Sequence, residues 1–233
     1  MKRWIPATLA SLILACTSGE PGAEAITGPL DVGVAGPPQS VPTASYFRVR
    51  PDTRRCIYPL CGGFWIATVN KARTLCPEGG RKSECYVAEI DWAVVPSGGS
   101  VGDLISTGHE PVLRGSLTLR DYPGFGNLGV LPALEAWRSA TVLEAPQRVL
   151  RVRERGTCKG PTMLDLCAQV LNSVREFALS TLDLSQVGAT ELQLIAADAA
   201  VRDGRLLAAG AVEVNGRQGS TLVASQFYLP YPF

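Results

Sequence analysis

Apolar and polar residues alternate with a period of two in several short stretches of this chain. Phe47 and Val49 alternate with Arg48 and Arg50. The same pattern predicts one apolar face made of Tyr86, Ala88, Ile90 and Trp92, and another made of Leu117 and Leu119. This is the period of a strand with one buried face, so the pattern predicts a mainly β fold.

A helical pattern follows the strands at Glu191–Val201. Thr190 is a favourable N-cap residue, Gln193 completes a capping box, and Asp203-Gly204 ends the helix. A shorter helical turn is predicted at Val101–Ser106. The fold class is therefore mainly β with a minor helical part.

The folded part, residues 45–233, is predicted to be a single domain made of two β-β-β-α-β-β halves, at about 45–140 and 147–233. Phe47–Arg50 aligns with Leu150–Arg153. The other matching segments are Val87–Asp91 with Leu179–Asp183, Pro111–Arg120 with Leu206–Asn215, and Leu128–Trp137 with Ser220–Leu229. Two such halves are predicted to pack as one sandwich or barrel.

The first 15 residues have the pattern of a signal peptide. A basic start precedes the apolar run Ile5–Leu14, which is too short for a transmembrane helix. The ending Ile13-Leu14-Ala15-Cys16 resembles the bacterial lipobox, in which cutting occurs before a cysteine that carries a diacylglyceryl group. We therefore predict lipidation of Cys16 and membrane anchoring, with an ordinary secretory signal as the alternative. Thr17 rather than Asp after the cysteine favours the outer membrane.

Residues 16–44 are predicted to be a lipidated cysteine followed by a flexible spacer. Thr17–Thr43 contains five Gly, five Pro and no Lys or Arg, a composition that cannot bury a core. A coil of this length reaches roughly 30 Å.

Charge is nearly balanced along the rest of the chain. The formal net charge is +1, and removal of Lys2 and Arg3 leaves 20 basic against 21 acidic side chains. This balance argues against nucleic-acid binding. The predicted partners are the membrane, through the lipid anchor, and an envelope protein.

Six cysteines remain after Cys16, an even number for an exported protein. Oxidising conditions predict three disulfides. The duplication places one pair in the same loop of each half, and the remaining pair would close a hairpin. The predicted bonds are Cys56–Cys61, Cys158–Cys167 and Cys76–Cys85. Zinc binding would need reduced thiolates, so a metal site is disfavoured.

Gly124–Gly129 matches the dinucleotide-binding pattern G-x-G-x-x-G, with Glu144 twenty residues after the first glycine. The matching segment of the second half, Asn215–Gly219, has the composition of a hairpin turn. We therefore predict a hairpin turn rather than a nucleotide site, and no cofactor.

Glu89 and Asp91 lie two residues apart, which places them on one face of a strand at about 7 Å. Such a pair could perform glycoside hydrolysis. Arg48 and Arg50 have the same spacing, and the second half repeats the arrangement with Arg151, Arg153 and Asp183. A structural ladder of arginine–carboxylate pairs is the preferred prediction.

The chain has a single histidine, His109, in the turn Thr107–Pro111. We predict a solvated loop histidine and no catalytic residue.

The Cys56–Cys61 loop contains three apolar side chains, Ile57, Tyr58 and Leu60. A rigid loop of this kind loses little freedom on binding, so it is a candidate recognition loop, even a protease-inhibitor loop. We expect instead that these side chains cap one end of the core. The tryptophans Trp65, Trp92 and Trp137 are likewise expected in the core.

Three stretches resemble a family of bacterial lipoproteins that carry a domain of unknown function: Phe47–Asn70, Glu84–Trp92 and Leu113–Arg138. The resemblance covers Tyr46–Phe233 and implies lipid anchoring and one compact domain. It supplies no catalytic residues.

A lipid-anchored envelope protein with a structural or binding role is therefore expected, and not an enzyme. The alternatives are recognition through the Cys56–Cys61 loop and a hydrolase that uses Glu89 and Asp91.

Overall fold

The computed structural model describes residues 44–95, 105, 108–142, 148–154, 166–214 and 219–231. Within these residues the strands are β1 (Ser45–Pro51), β2 (Phe64–Thr68), β3 (Thr74–Leu75), β4 (Arg81–Lys82), β5 (Cys85–Val87), β6 (Glu89–Asp91), β7 (Val112–Gly115), β8 (Thr118–Tyr122), β9 (Gly126–Ser139), β10 (Val149–Glu154), β11 (Leu166–Val170), β12 (Glu176–Leu179), β13 (Thr181–Asp183), β14 (Leu206–Val214) and β15 (Ser220–Tyr231). Helix α1 is Glu191–Arg202, and a 3-10 turn covers Ser185–Val187. Neither helical segment is long and apolar enough to cross a bilayer.

The strands of the first half close into a ring. β1 pairs with β2 on one side and β7 on the other, and β7 continues to β9, all antiparallel. β5 pairs with β2, and β6 pairs in parallel with β9. Only Ala88 separates β5 from β6, so this short stretch joins the two ends of the ladder. The ring encloses a core that includes Phe47, Ile66 and Leu131.

The second half is connected in the same order. β10 pairs with β11 and β14, β11 pairs with β12, and β14 pairs with β15. β13 pairs in parallel with β15, as β6 does with β9. Helix α1 packs against this ring, and Ala197, Ala200 and Val201 join its core. Descent of both halves from one duplicated unit stays a prediction.

The two rings meet where β15 pairs with β9 over four residues at the end of each strand. A third apolar cluster fills this junction and takes members from both halves: Val69, Val112, Trp137, Val149, Leu171, Leu207, Ala209 and Tyr228. The indole of Trp137 is fully buried and donates a hydrogen bond to the Arg205 carbonyl at 2.7 Å. Burial of two large aromatic side chains at one seam is a substantial apolar contribution to the junction.

Two asparagines fasten each half to the other. The Asn70 side chain donates to the carbonyls of Val149 (2.7 Å) and Leu171 (3.2 Å) and accepts from the Val149 amide (2.9 Å). The Asn172 side chain donates to the carbonyls of Tyr46 (2.8 Å) and Val69 (2.9 Å) and accepts from the Tyr46 amide (2.9 Å). We call this reciprocal arrangement the asparagine clasp.

The clasp also explains why asparagine occupies both positions. Asn70 and Asn172 have φ values of +61° and +56°, and within the described residues they are the non-glycine residues in the left-handed region. Asparagine tolerates this conformation better than most residues with a Cβ atom. Glycine would tolerate it too but has no amide side chain.

The prediction of a mainly β fold with a minor helix is confirmed. Helix α1 and its Thr190–Gln193 capping box are confirmed. The shorter helix predicted at 101–106 lies outside the described residues, apart from the buried Ile105. The apolar interior is divided into one core in each half and a third cluster at the junction, to which both halves contribute.

Two predicted strand faces are wrong in detail. Val87 is fully buried while Tyr86 is only half-buried, because the chain changes partner at Ala88 from β2 to β9. A shift of one residue moves every following side chain to the opposite face. Leu117 is buried but Leu119 is 44% exposed, because β8 pairs with the outer part of β9, beyond the core.

Substitution of Asn70 should separate two contributions of this residue to stability: its side-chain hydrogen bonds and its tolerance of a left-handed backbone. Asn70→Gly keeps the left-handed backbone accessible but removes three hydrogen bonds, two to backbone groups of Val149 and one to Leu171. The Val149 carbonyl keeps the Leu171 amide as a donor. The loss should cost about 2–3 kcal/mol. Asn70→Ala should cost about 1 kcal/mol more, because alanine is strained at this φ. Urea denaturation measures both free energies of unfolding.

At position 172 the order should be the same: Asn172→Gly should lower the free energy of unfolding, and Asn172→Ala should lower it further. The neighbouring exposed Lys71→Ala substitution is the matched control and should change the free energy of unfolding little. A glycine variant at position 70 as stable as wild type would show that the clasp does not hold the halves together.

Candidate functional site

Two of the three predicted disulfides are confirmed. Cys56 is bonded to Cys61 and Cys76 to Cys85, with Cα–Cα distances of 5.6 Å and 5.5 Å. Cys167 is also disulfide-bonded, and its predicted partner Cys158 lies outside the described residues. The lipidation prediction at Cys16 lies outside them as well.

The Cys56–Cys61 loop turns its apolar side chains outward. Ile57 is 66% exposed, Tyr58 58% and Leu60 44%. The expectation that these side chains cap the core is wrong, because Pro59 and Cys61 take the inward positions of the turn. The Leu60 amide closes the turn by donating to the Ile57 carbonyl at 3.0 Å. We call Ile57, Tyr58 and Leu60 the apolar loop face.

A buried carboxylate fixes the base of this loop. Asp52 follows directly after β1 and accepts from the Arg54 amide (3.1 Å), the Arg54 guanidinium (2.8–3.0 Å) and the Trp65 indole (3.2 Å). These hydrogen bonds, those from Arg54 being the largest cause, lower the pKa of Asp52 to about 2. The Arg54 guanidinium also donates to the Leu60 carbonyl at 3.1 Å, so the carboxylate positions the loop through the arginine.

Two aromatic side chains support the loop from the sheet. Trp65 on β2 and Tyr86 on β5 make an edge-to-face contact with ring centroids 5.6 Å apart. The Arg54 guanidinium lies over both rings, at 4.9 Å and 5.1 Å from their centroids. The Tyr86 hydroxyl donates to the Pro59 carbonyl at 2.7 Å. Trp65 is therefore part of this support and not a core residue, whereas Trp137 is in the core as predicted.

A second hairpin flanks the apolar loop face. Tyr58 makes an edge contact with Tyr122 at the end of β8, with ring centroids 6.4 Å apart. The Tyr122 hydroxyl donates to Glu89 at 3.1 Å. Burial, and then the Glu89 carboxylate, raises the pKa of Tyr122 to about 12. Tyr122 therefore stays neutral beside the loop at physiological pH.

Glu89 and Asp91 both face Arg120 on β8. Arg120 donates to Glu89 at 2.7 Å and lies 3.7 Å from Asp91. Asp91 also accepts the Ala93 amide at 3.0 Å. The two carboxylates therefore have structural partners, and the predicted ladder assigned them to the wrong arginines.

The arginines of the predicted ladder bind other groups. Arg50 pairs with Glu84, and Arg153 pairs with Glu176 at 3.1 Å. Arg151 donates to the Gly204 carbonyl at 2.7 Å and to the Tyr46 hydroxyl at 3.2 Å. Asp183 accepts the Ser185 amide at 2.9 Å, and Arg48 is half-buried at the junction. β6 and β13 pair with β9 and β15, and not with β1 and β10 that carry these arginines, which is why the partners differ.

His109 is half-buried and not a solvated loop residue. Its Nδ1 lies 3.1 Å from the Ser139 hydroxyl, and its Nε2 lies 3.4 Å from the Arg138 guanidinium. Burial, and then the charge of Arg138, lowers the pKa of His109. Ser139 is 3% exposed, so the contact attaches the chain before β7 to β9 and leaves that hydroxyl out of reach of a substrate.

The glycine-rich segment is a hairpin turn, as predicted. It joins β8 to β9, and Gly124 and Gly126 have φ values of +81° and +76°. Glu144 lies outside the described residues. Within the part of the chain that the structure describes, no three His, Cys, Asp or Glu side chains are grouped to hold a metal ion.

The supporting roles of Asp52, Arg54 and Tyr86 were not among the predictions from the sequence. One local signal was available: an aspartate two residues before an arginine, directly after a strand, is typical of an Asx turn. The contact between Tyr86 and Pro59 joins residues 27 positions apart, so no local pattern indicates it. Asp52, Arg54 and Tyr86 together form a rigid base under the apolar loop face, which suits binding.

Comparison with known proteins gives one family match. A family model described as a domain of unknown function (DUF6748) matches residues 45–232. No curated protein and no solved structure matches the chain.

Asp52→Asn should destabilise the protein at pH 7 by about 1.5–3 kcal/mol, since charged hydrogen bonds to Arg54 are lost. The pKa of Asp52 is lower in the folded state, so its contribution is complete above about pH 4 and is lost as the pH falls towards 2. The difference in unfolding free energy between wild type and variant should therefore shrink between pH 4 and pH 2. Denaturation at several pH values measures this, and a constant difference would contradict it.

Proposed function

We propose that this chain, which belongs to the DUF6748 family through residues 45–232, is an exported, lipid-anchored protein that recognises an envelope protein through its apolar loop face. One observation carries the proposal: Ile57, Tyr58 and Leu60 are exposed on a loop that a disulfide, Asp52 and Tyr86 hold in place. Single exposed apolar side chains are common, but three on one short loop form the kind of patch that marks a binding surface.

The rigidity of the loop supports binding. A partner gains the burial of a tyrosine and two aliphatic side chains, worth about 25 cal/mol per Å² of apolar area removed from water. The loop is already ordered by hydrogen bonds to Leu60 and Pro59, so little conformational freedom is lost on association. Tyrosine is also a frequent central residue of protein interfaces.

The anchor rests on the sequence of the first 16 residues. The Ile-Leu-Ala-Cys ending places a cysteine where the signal peptide ends. The spacer that follows has a reach of roughly 30 Å, which would let the loop meet a partner in the same envelope, with the outer membrane as the proposed location.

The two alternatives differ in their support. The contacts of Glu89 and Asp91 with Arg120 speak against a carboxylate-based hydrolase. The exposed Tyr58 is consistent with a protease-inhibitor mode, in which its ring would enter a specificity pocket. A protease that wild type inhibits and Tyr58→Ser does not inhibit would identify that mode.

A photo-cross-linking amino acid at position 58 should capture a partner in intact cells. Benzoylphenylalanine replaces one exposed aromatic residue by another, so the fold is retained. We expect a discrete adduct with an envelope protein, reduced at least fivefold when Ile57 and Leu60 are both changed to Ser. Immunoblotting and mass spectrometry measure the adduct.

The matched control is the same amino acid at Val174, which is 97% exposed in the β11–β12 turn of the other half. Adducts of equal yield at positions 58 and 174, or none at position 58, would rule out recognition by the loop.

Metabolic labelling with radioactive palmitate tests the anchor separately. Wild type should incorporate the label and sediment with the membrane, because acyl chains are attached to Cys16. Cys16→Ser should lose the label entirely. Equal labelling of both proteins would show that Cys16 is not the lipidated residue.

A further inference from the structure

We propose that a basic cleft beside Asn70 binds a phosphate-type oxyanion. The cleft has a volume of about 430 Å³ and lies where the end of β2 meets the start of β10. Its walls are the segment 67–72 and two arginines, Arg48 and Arg148. Lys71 is a third cation among the lining residues, and within the part of the chain that the structure describes no carboxylate lines the cleft. This site is independent of the apolar loop face.

The cations at the mouth of the cleft are available to a ligand. The side chains of Lys71 and Arg148 are exposed, and within the described residues neither forms a hydrogen bond or an ion pair. Arg48 is half-buried in the wall. Asn70 forms its three hydrogen bonds within the clasp, so it fixes the floor of the cleft and does not contact the ligand.

The chain that continues from the wall of the cleft is rich in basic residues. The segment 71–82 contains four basic residues, Lys71, Arg73, Arg81 and Lys82, against a single acid, Glu78. The whole chain carries a net charge of only +1. A local excess of one sign in a nearly neutral protein raises the concentration of anions at that surface.

A cleft of similar size beside Asn172 provides the comparison. It has a volume of about 410 Å³ and contains Arg114 and Arg151. There Arg151 donates to the Gly204 carbonyl and the Tyr46 hydroxyl, and Arg114 pairs with Glu135. The arginines of that cleft are used within the protein. On the Asn172 side, the junction is thus built with arginines that are bonded within the protein. The unbonded side chains of Lys71 and Arg148 beside Asn70 are therefore not required to hold the two halves together.

The arrangement selects the chemical class of the ligand. Guanidinium groups donate paired hydrogen bonds to phosphate oxygens, and a lysine adds a compact positive charge. A tetrahedral dianion offers acceptors to the exposed side chains of Lys71 and Arg148 at once. The same chemistry is presented by free phosphate and by the phosphate of an anionic lipid headgroup.

Calorimetric titration of the full-length protein in neutral detergent with inorganic phosphate at low salt tests the site. Lys71→Ala/Arg148→Ala should raise the dissociation constant at least tenfold. The control, Arg175→Ala/Arg205→Ala, removes the same charge from exposed positions of the second half. It should change the dissociation constant for phosphate less than twofold. Absence of binding by wild type, or an equal effect of both double variants, would overturn the proposal.

Acetylation of lysines, measured by mass spectrometry, then distinguishes the two sources of phosphate. Lys71 should be protected relative to Lys82, which pairs with Glu78, when phosphate is added. Protection by vesicles of phosphatidylcholine with phosphatidylglycerol, but not by phosphatidylcholine alone, assigns the site to lipid headgroups. Protection by phosphate and not by vesicles assigns it to a free anion. No protection of Lys71 by either would refute the site.

Discussion

The asparagine clasp is the constraint on which the arrangement of the two halves depends. Each asparagine closes the end of its own second strand and binds the backbone at the start of the other half's first strand. Partly buried backbone groups need partners, and few residues can supply three hydrogen bonds from a left-handed backbone. The clasp thus fixes the relative position of two rings that each have a complete core.

The surfaces proposed to bind lie on the first half and at its junction with the second half, where this framework leaves them accessible. The apolar loop face leaves the sheet after β1 and is held by Asp52, Arg54 and Tyr86. The basic cleft lies at the junction itself, beside Asn70. Rigid strands under both surfaces mean that a ligand meets side chains that are already positioned, which favours binding over a large conformational change.

Several titratable residues that the sequence offered as candidates for catalysis form structural contacts in the fold. Glu89 and Asp91 share Arg120, and Asp91 and Asp183 each accept a backbone amide two residues further along the chain. His109 attaches a loop to the strand that carries Ser139. For the three carboxylates the spacing along the chain was correct, but the neighbouring strand, which determines the partner, was a different one.

The sequence by itself determined the features that depend on near neighbours. These include the strand period, the capping box of α1, the hairpin at Gly124–Gly129, and the disulfides that close loops of five and nine residues. The tertiary structure alone decided what depends on distant pairing. The change of partner at Ala88 reversed the expected face of Tyr86, and the turn at Pro59 placed Tyr58 in solvent. The clasp joins residues 79 to 126 positions apart, and no local pattern encodes a hydrogen bond between chain segments that only folding brings together.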